Sequence, residues 1–104
     1  MYDYFRDKYP TLFADNGFCG FECGNGWKDI LDRLFAKIKD DTKVVQVKEK
    51  WGLLRVYVDT ATNETYNAID EAERESAKTC EECGSTEGVT TAGGWLKTLC
   101  QKCR

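Results

Sequence analysis

Apolar residues recur with helical spacing in one stretch of this chain and with strand spacing in another, and the two adjoin. Trp27, Ile30, Leu31, Leu34, Phe35 and Ile38 fall at i, i+3, i+4, i+7, i+8 and i+11, which lays every large side chain on one stripe of a helix over Trp27–Lys39. Asn25 is placed to cap it, Asp29 and Asp32 lie toward the positive end of its dipole, and Lys37 and Lys39 toward the negative end. From Val44 to Asp59 the pattern alternates on both sides of Trp51-Gly52, which predicts a β-hairpin with glycine in the turn. Val45, Val47, Leu54, Val56 and Val58 are expected to face the helix, and Gln46, Lys48, Arg55 and Tyr57 the other side. Two further helices are predicted. One is a short aromatic helix with Tyr2, Phe5 and Tyr9 on a face, ended by Pro10; the other runs from Asn63 to about Ala77, with a thin stripe of Tyr66, Ile69, Ala72 and Ala77 against many acidic residues.

The C-terminal quarter carries the most specific chemistry. Cys80 and Cys83 form one C-x2-C pair, Cys100 and Cys103 a second, and sixteen residues separate the pairs. Each pair makes a tight turn that aims two sulfurs at one tetrahedral ion, so the spacing reads as a four-cysteine Zn²⁺ site. Disulfides, a redox C-x-x-C and unconnected thiols are the alternatives. A thioredoxin-like motif stands once beside a βαβ unit, whereas here it is doubled without one. Four thiolates leave no open coordination position, so such an ion is structural. Gly84, Gly88 and Gly93-Gly94 would turn the chain, with Val89 and Trp95-Leu96 supplying short strands.

The expected fold class is therefore α+β: an antiparallel β-hairpin packed on an amphipathic helix, with a second helix and a C-terminal four-cysteine zinc ribbon. The chain is expected to be a single domain over residues 1–104, with an α+β core at 1–79 and a ribbon at 80–104.

Between the first two helices, residues 15–26 hold four glycines and two Asn-Gly steps. This is a loop whose glycines let backbone approach something closely, the hairpin being the expected neighbour. It lacks both a Walker lysine and the G-x-G-x-x-G spacing, which argues against phosphate binding. Cys19 and Cys23 in this loop read as buried thiols, the alternative being a second metal completed by Asp15 or Glu22.

Composition narrows the function. The chain has no histidine, which removes Ser-His-Asp and Cys-His nucleophile pairs, HExxH metalloproteases and His-ligated zinc deaminases. Catalysis is not expected, and Glu49, Asp59 or Tyr57 near Arg55 is the best remnant of it. The formal charge is −3, and four thiolates around one divalent cation add two further negative charges. That sign disfavours a general nucleic-acid or anionic-membrane binder. Residues 1–7 show no basic stretch leading into an apolar run, so the expectation is a protein of the reducing cytoplasm with metal-ligand and buried thiols.

One face of the hairpin is basic. Lys48, Lys50 and Arg55 gather beside Tyr57, with Trp51 at the tip. This reads either as a solvated sheet face with cross-strand pairs to Glu49 and Asp59 or as a recognition patch in which Trp51, Arg55 and Tyr57 anchor and Lys48 and Lys50 steer.

The run Val47-Lys-Glu-Lys-Trp-Gly-Leu-Leu-Arg-Val-Tyr57, preceded by Glu22-Cys-Gly-Asn-Gly-Trp27 and followed by Thr79-Cys-Glu-Glu-Cys-Gly84 and Trp95-Leu-Lys-Thr-Leu-Cys100, resembles a family of small bacteriophage and prophage proteins. The likeness covers nearly the whole chain and carries over no catalytic residue. It implies a context: a small phage-type protein in a bacterial cytoplasm that binds a host or defence protein.

Overall fold

A computed structural model of the chain describes residues 1–13 and 17–104. Its elements in order are helix α1 (Tyr2–Lys8), strand β1 (Phe21–Glu22), a 3-10 turn (Asn25–Trp27), helix α2 (Lys28–Lys37), strands β2 (Val44–Lys50) and β3 (Leu53–Val58), helix α3 (Asn63–Ser76), and strands β4 (Thr90–Ala92) and β5 (Lys97–Leu99). The fold is α+β, as the pattern predicts.

The core is the stripe of α2 closed over one face of the hairpin. Ile30, Leu31, Leu34 and Phe35 are buried, together with Val44, Val47 and Leu54 of the sheet and Phe5 of α1. Phe5, Phe13 and Phe21 join Phe35 in a cluster of edge-on and tilted rings. Outside it, Tyr4 and Tyr9 donate hydroxyl protons to the Asp32 carboxylate at 2.6 and 2.5 Å, and Lys8 Nζ donates at 3.2 Å, which fastens α1 to α2. Trp27, expected as the first helical residue, lies in the 3-10 turn, with Gly24 in the capping position and no side-chain cap. Asn25 is thus inside the turn and is not the cap.

In the sheet, order β1-β2-β3, β1 pairs parallel and β3 antiparallel with β2. Lys48 lies opposite Arg55, Val47 opposite Val56, and Val44 opposite Val58, with a register shift between Val44 and Gln46. The extra residue of this bulge is Val45. It shifts the pleat by one, so Val44 takes the core position expected of Val45, which is only half-buried.

Helix α3 lies along the free edge of β3 rather than flat on the sheet. Leu54 N–H on that edge donates to Ser76 Oγ at 3.0 Å, and Arg55 pairs with Glu73. Close approach to an edge and to α2 requires small residues, so Thr65, Ala72 and Ser76 are the buried side of the helix. Tyr66 and Ala77, placed on the apolar stripe by the sequence pattern, are exposed. Thr62 caps α3 by accepting from Thr65 N–H at 3.2 Å.

Strands β4 and β5 form a second, antiparallel pair. Trp95 and Leu96, expected within a strand, are instead in the turn between them, and β4 begins one residue after Val89. This pair sits against the tip of the first hairpin, where Thr98 Oγ1 donates to Gly52 O at 2.5 Å. Behind it, Gly26 N–H donates to Glu81 O at 2.7 Å and Trp27 Nε1 to Thr79 O at 2.9 Å. A Cβ on Gly26 would overlap the Cys80 carbonyl, and one on Gly24 the Glu81 carbonyl. The glycine loop therefore meets two surfaces: its first half pairs with the hairpin, as expected, through Cys19 N–H to Val45 O at 2.6 Å and Val47 N–H to Gly20 O at 3.2 Å, and Gly24 and Gly26 pack on the first cysteine turn.

Among the described residues, no helix is long and apolar enough to cross a membrane.

Candidate metal centre and binding cleft

Cys80 and Cys83 sit on the turn that follows α3, Cys100 and Cys103 on the turn that follows β5. The first turn closes through Gly84 N–H to Cys80 O at 2.9 Å, the second through Cys103 N–H to Cys100 O at 3.2 Å. Gly84 holds φ +82, a left-handed value that suits glycine. All four Sγ atoms lie within 4.8 Å of one another, and Cys83 and Cys100 are 3.6 Å apart. A tetrahedron with metal–sulfur bonds of about 2.3 Å has edges of about 3.8 Å, so the four sulfurs are placed to hold one metal ion.

The turns also favour the thiolate at two of the four positions, Cys80 and Cys100. Burial pushes the Cys80 thiol up, but N–H groups of Cys100, Cys83 and Glu82 that point at its sulfur outweigh this and bring it down to about 6. Cys103 is pushed up to about 12, first by hydrogen bonding with Cys100, because a second negative charge would sit against the first. A cation at the centre removes that conflict.

Cys19 and Cys23 part company with this centre and with the expectation for the pair. Cys19 is exposed, contrary to a buried thiol, whereas Cys23 is half-buried. Burial first, and the charge of Glu81 second, push the Cys23 thiol up to about 12. Glu22 accepts from Gln46 at 3.2 Å, and Asp15 lies outside the described residues. Among those residues, Cys19, Cys23 and Glu22 do not assemble as ligands.

The recognition patch read from the hairpin splits. Lys48, Lys50 and Trp51 line a cleft of about 580 Å³, whose opposite wall is Gly94, Trp95, Leu96 and Lys97 of the β4–β5 turn. Arg55 and Tyr57 are not in it. The Arg55 guanidinium is held by Glu73, and Tyr57 borders a separate hollow with Ile69 and Asp70 beneath α3. Neither residue can join Trp51 in one contact without extending the surface across the sheet face. The sequence pattern gives Trp95 and Leu96 a strand and no site role, whereas Lys97 counts there, with Lys48, Lys50, Arg55, Lys102 and Arg104, toward the disfavoured nucleic-acid reading. The signal for a site at Trp95 was the parallel between Trp51-Gly52 and Gly94-Trp95, each a tryptophan beside a turn glycine.

Trp51 itself is held unusually. Its φ is +57 and that of Gly52 +80, the type I′ turn that best joins two strands. Asn or Gly is the favoured residue at the first of these positions, and a bulky side chain there is strained. The ring is nonetheless 67% exposed, and Trp95 across the cleft is 89% exposed. Lys48 and Lys50 make no ion pair among the described residues. Lys97 Nζ is 3.9 Å from Glu81 Oε1, an oxygen that is buried and has no hydrogen-bond partner among the described residues; Gly24 N–H donates to the other oxygen at 2.9 Å. Two carboxylates considered for chemistry are otherwise engaged: Glu49 accepts from Gly52 N–H at 2.6 Å, and Asp59 from Lys43 and Thr60 N–H at 2.9 and 2.6 Å. Compared with protein-family models, curated proteins and solved structures, the chain matches none of them.

Proposed function

We propose that this chain is a zinc-stapled binding module of the bacterial cytoplasm that binds and modulates a host or defence protein, and that it acts by binding rather than by catalysis. The observation that carries the reading is Trp51, a large ring kept at a strained turn position yet 67% exposed. Neither burial nor backbone preference accounts for a tryptophan there, whereas a contact surface does, since Trp is enriched among anchoring residues. Lys48 and Lys50 steer at the rim. Arg55 and Tyr57 extend the surface across the open sheet face, on which they stand opposite Lys48 and Gln46.

The metal is assigned as Zn²⁺ because four thiolates in a closed tetrahedron suit it. Its role is to hold the turns that carry Cys80–Cys83 and Cys100–Cys103. Since an unfolded chain has no preformed site, metal binding and folding of residues 80–103 are coupled. Elemental analysis of the purified protein is expected to find about one zinc per chain; metal-free protein with its cysteines paired as disulfides would overturn this assignment.

Affinity capture from a bacterial lysate, with and without nuclease, tests the function. The expected result is a stoichiometric protein retained after nuclease and lost with Trp51→Asn. One observation favours a second reading: two exposed indoles beside three lysines also suit unstacked bases. Net acidity stands against it. Recovery of nucleic acid alone, with a steep salt dependence, would replace the first reading by the second.

A further inference from the structure

Resting on the binding-module reading, we infer that the cleft between the two hairpin turns takes an acidic protein segment bearing an aromatic side chain, seated between Trp51 and Trp95 with its carboxylates on Lys48, Lys50 and Lys97. The cleft is built from two separate parts of the chain, with one indole on each wall. Indole faces and edges gain most from another ring in offset or edge-on contact, which selects an aromatic side chain over a purely charged ligand.

Charge selects the rest. The lining contains three ammonium groups and one carboxylate, and that carboxylate, Glu49, is already hydrogen-bonded to Gly52 N–H. Lys48 and Lys50 have no anionic partner among the described residues, and the 3.9 Å separation of Lys97 from Glu81 is too long for a hydrogen bond. All three lysines therefore keep donors for a ligand. A long polyanion would meet the acidic remainder of a chain of formal charge −3, whereas a short acidic segment meets only the lysine-lined cleft. Lysine ammonium is a compact point charge, suited to separate carboxylates rather than to the bidentate clamp that Arg provides. The tip seats closely on β4 and β5, where a Cβ on Gly52 would come within 2.7 Å of Thr91 Cγ2, and both tryptophans beside this contact stay exposed.

The test uses the metal-loaded full chain and three labelled probes read by fluorescence anisotropy: a random glutamate–tyrosine copolymer, polyglutamate and oligothymidylate. The copolymer is expected to bind, at least about tenfold more tightly than polyglutamate. Trp51→Asn and Trp95→Ala are each expected to weaken it by about tenfold or more, and Lys97→Gln to weaken it less at high salt than at low. Tyr66→Ala, at an exposed position of α3 that does not line the cleft, is expected to leave binding unchanged. Polyglutamate binding as tightly as the copolymer, oligothymidylate binding more tightly, or both tryptophan variants binding normally would each overturn the assignment. If a lysate protein is captured through Trp51 but the copolymer does not bind, the occupant is wrong and the binding-module reading stands. If the copolymer binds as expected and lysate capture yields only nucleic acid, the module reading fails while the cleft chemistry stands.

Discussion

Replacing Trp51 by Asn separates the stabilising role of this residue from its binding role. The ring is 67% exposed, so about a third of an indole side chain of roughly 250 Å² is covered. At about 25 cal/mol per Å² this covered area stabilises by about 2 kcal/mol, an upper bound because the unfolded chain also hides part of it. Against it stands the left-handed backbone: φ +57 costs an ordinary L-residue roughly 1–2 kcal/mol, and Asn tolerates that region best after Gly. The two effects have similar size and opposite sign. Trp51→Asn is therefore expected to change stability by less than about 1 kcal/mol, or about 4–8 °C in Tm for a domain of this size, while lowering copolymer affinity by tenfold or more. Urea unfolding and anisotropy titration on the same preparation give both numbers. A loss beyond about 2 kcal/mol would mean that the ring is structural, and retained affinity would mean that it is not an anchor; either result refutes the reasoning.

Leu34, 2% exposed at the centre of the α2 stripe, behaves in the opposite way: Leu34→Ala is expected to cost about 2–5 kcal/mol, measured by urea unfolding. Gly26→Ala forces a Cβ into the Cys80 carbonyl and is expected to destabilise the cysteine turn and lower metal retention, read by metal content after dialysis against a chelator, whereas Gly94→Ala, with open space around it and no left-handed backbone to strain, is expected to leave metal retention intact. Acid stability rests partly on Asp32 and Asp40. For Asp32, partial burial pushes the carboxyl up, but hydrogen bonds from Tyr4, Tyr9 and Lys8 prevail and hold it at about 2; Thr42 and then the Thr62 N–H hold Asp40 lower still. A carboxyl depressed by folding contributes fully above its unfolded value of about 3.9, and that contribution is lost as pH falls toward the folded value. Stability measured by urea unfolding is expected to drop between about pH 4 and pH 2, and Asp32→Asn to flatten that drop; an unchanged slope would show that the Asp32 network does not couple folding to protonation.

What the sequence determined by itself is what short-range spacing encodes. The α2 stripe, the alternation about Trp51-Gly52 and the doubled C-x2-C motif each bind residues a few positions apart into one helix face, one hairpin or one pair of knuckles, and the structure keeps all three. Tertiary structure decided what depends on which surfaces meet. The Val45 bulge moves Val44 into the core because Val44 N–H bonds to Leu12 O and Val45 O to Cys19 N–H, partners far along the chain. Helix α3 turns Ser76 inward and Tyr66 outward because its neighbour is a strand edge with a free N–H at Leu54, something a periodicity of 3.6 residues cannot register. The cleft is the clearest case. Lys50 and Trp51 are forty-odd residues from Trp95 and Lys97, and they share a site only because Thr98 docks on the Gly52 carbonyl and brings one hairpin turn beside the other. Arg55 and Tyr57 are near Trp51 in sequence and share the sheet face of Lys48 and Gln46, yet they lie outside that cleft: Glu73 of α3 holds the Arg55 guanidinium and Tyr57 borders the hollow beside Ile69 and Asp70.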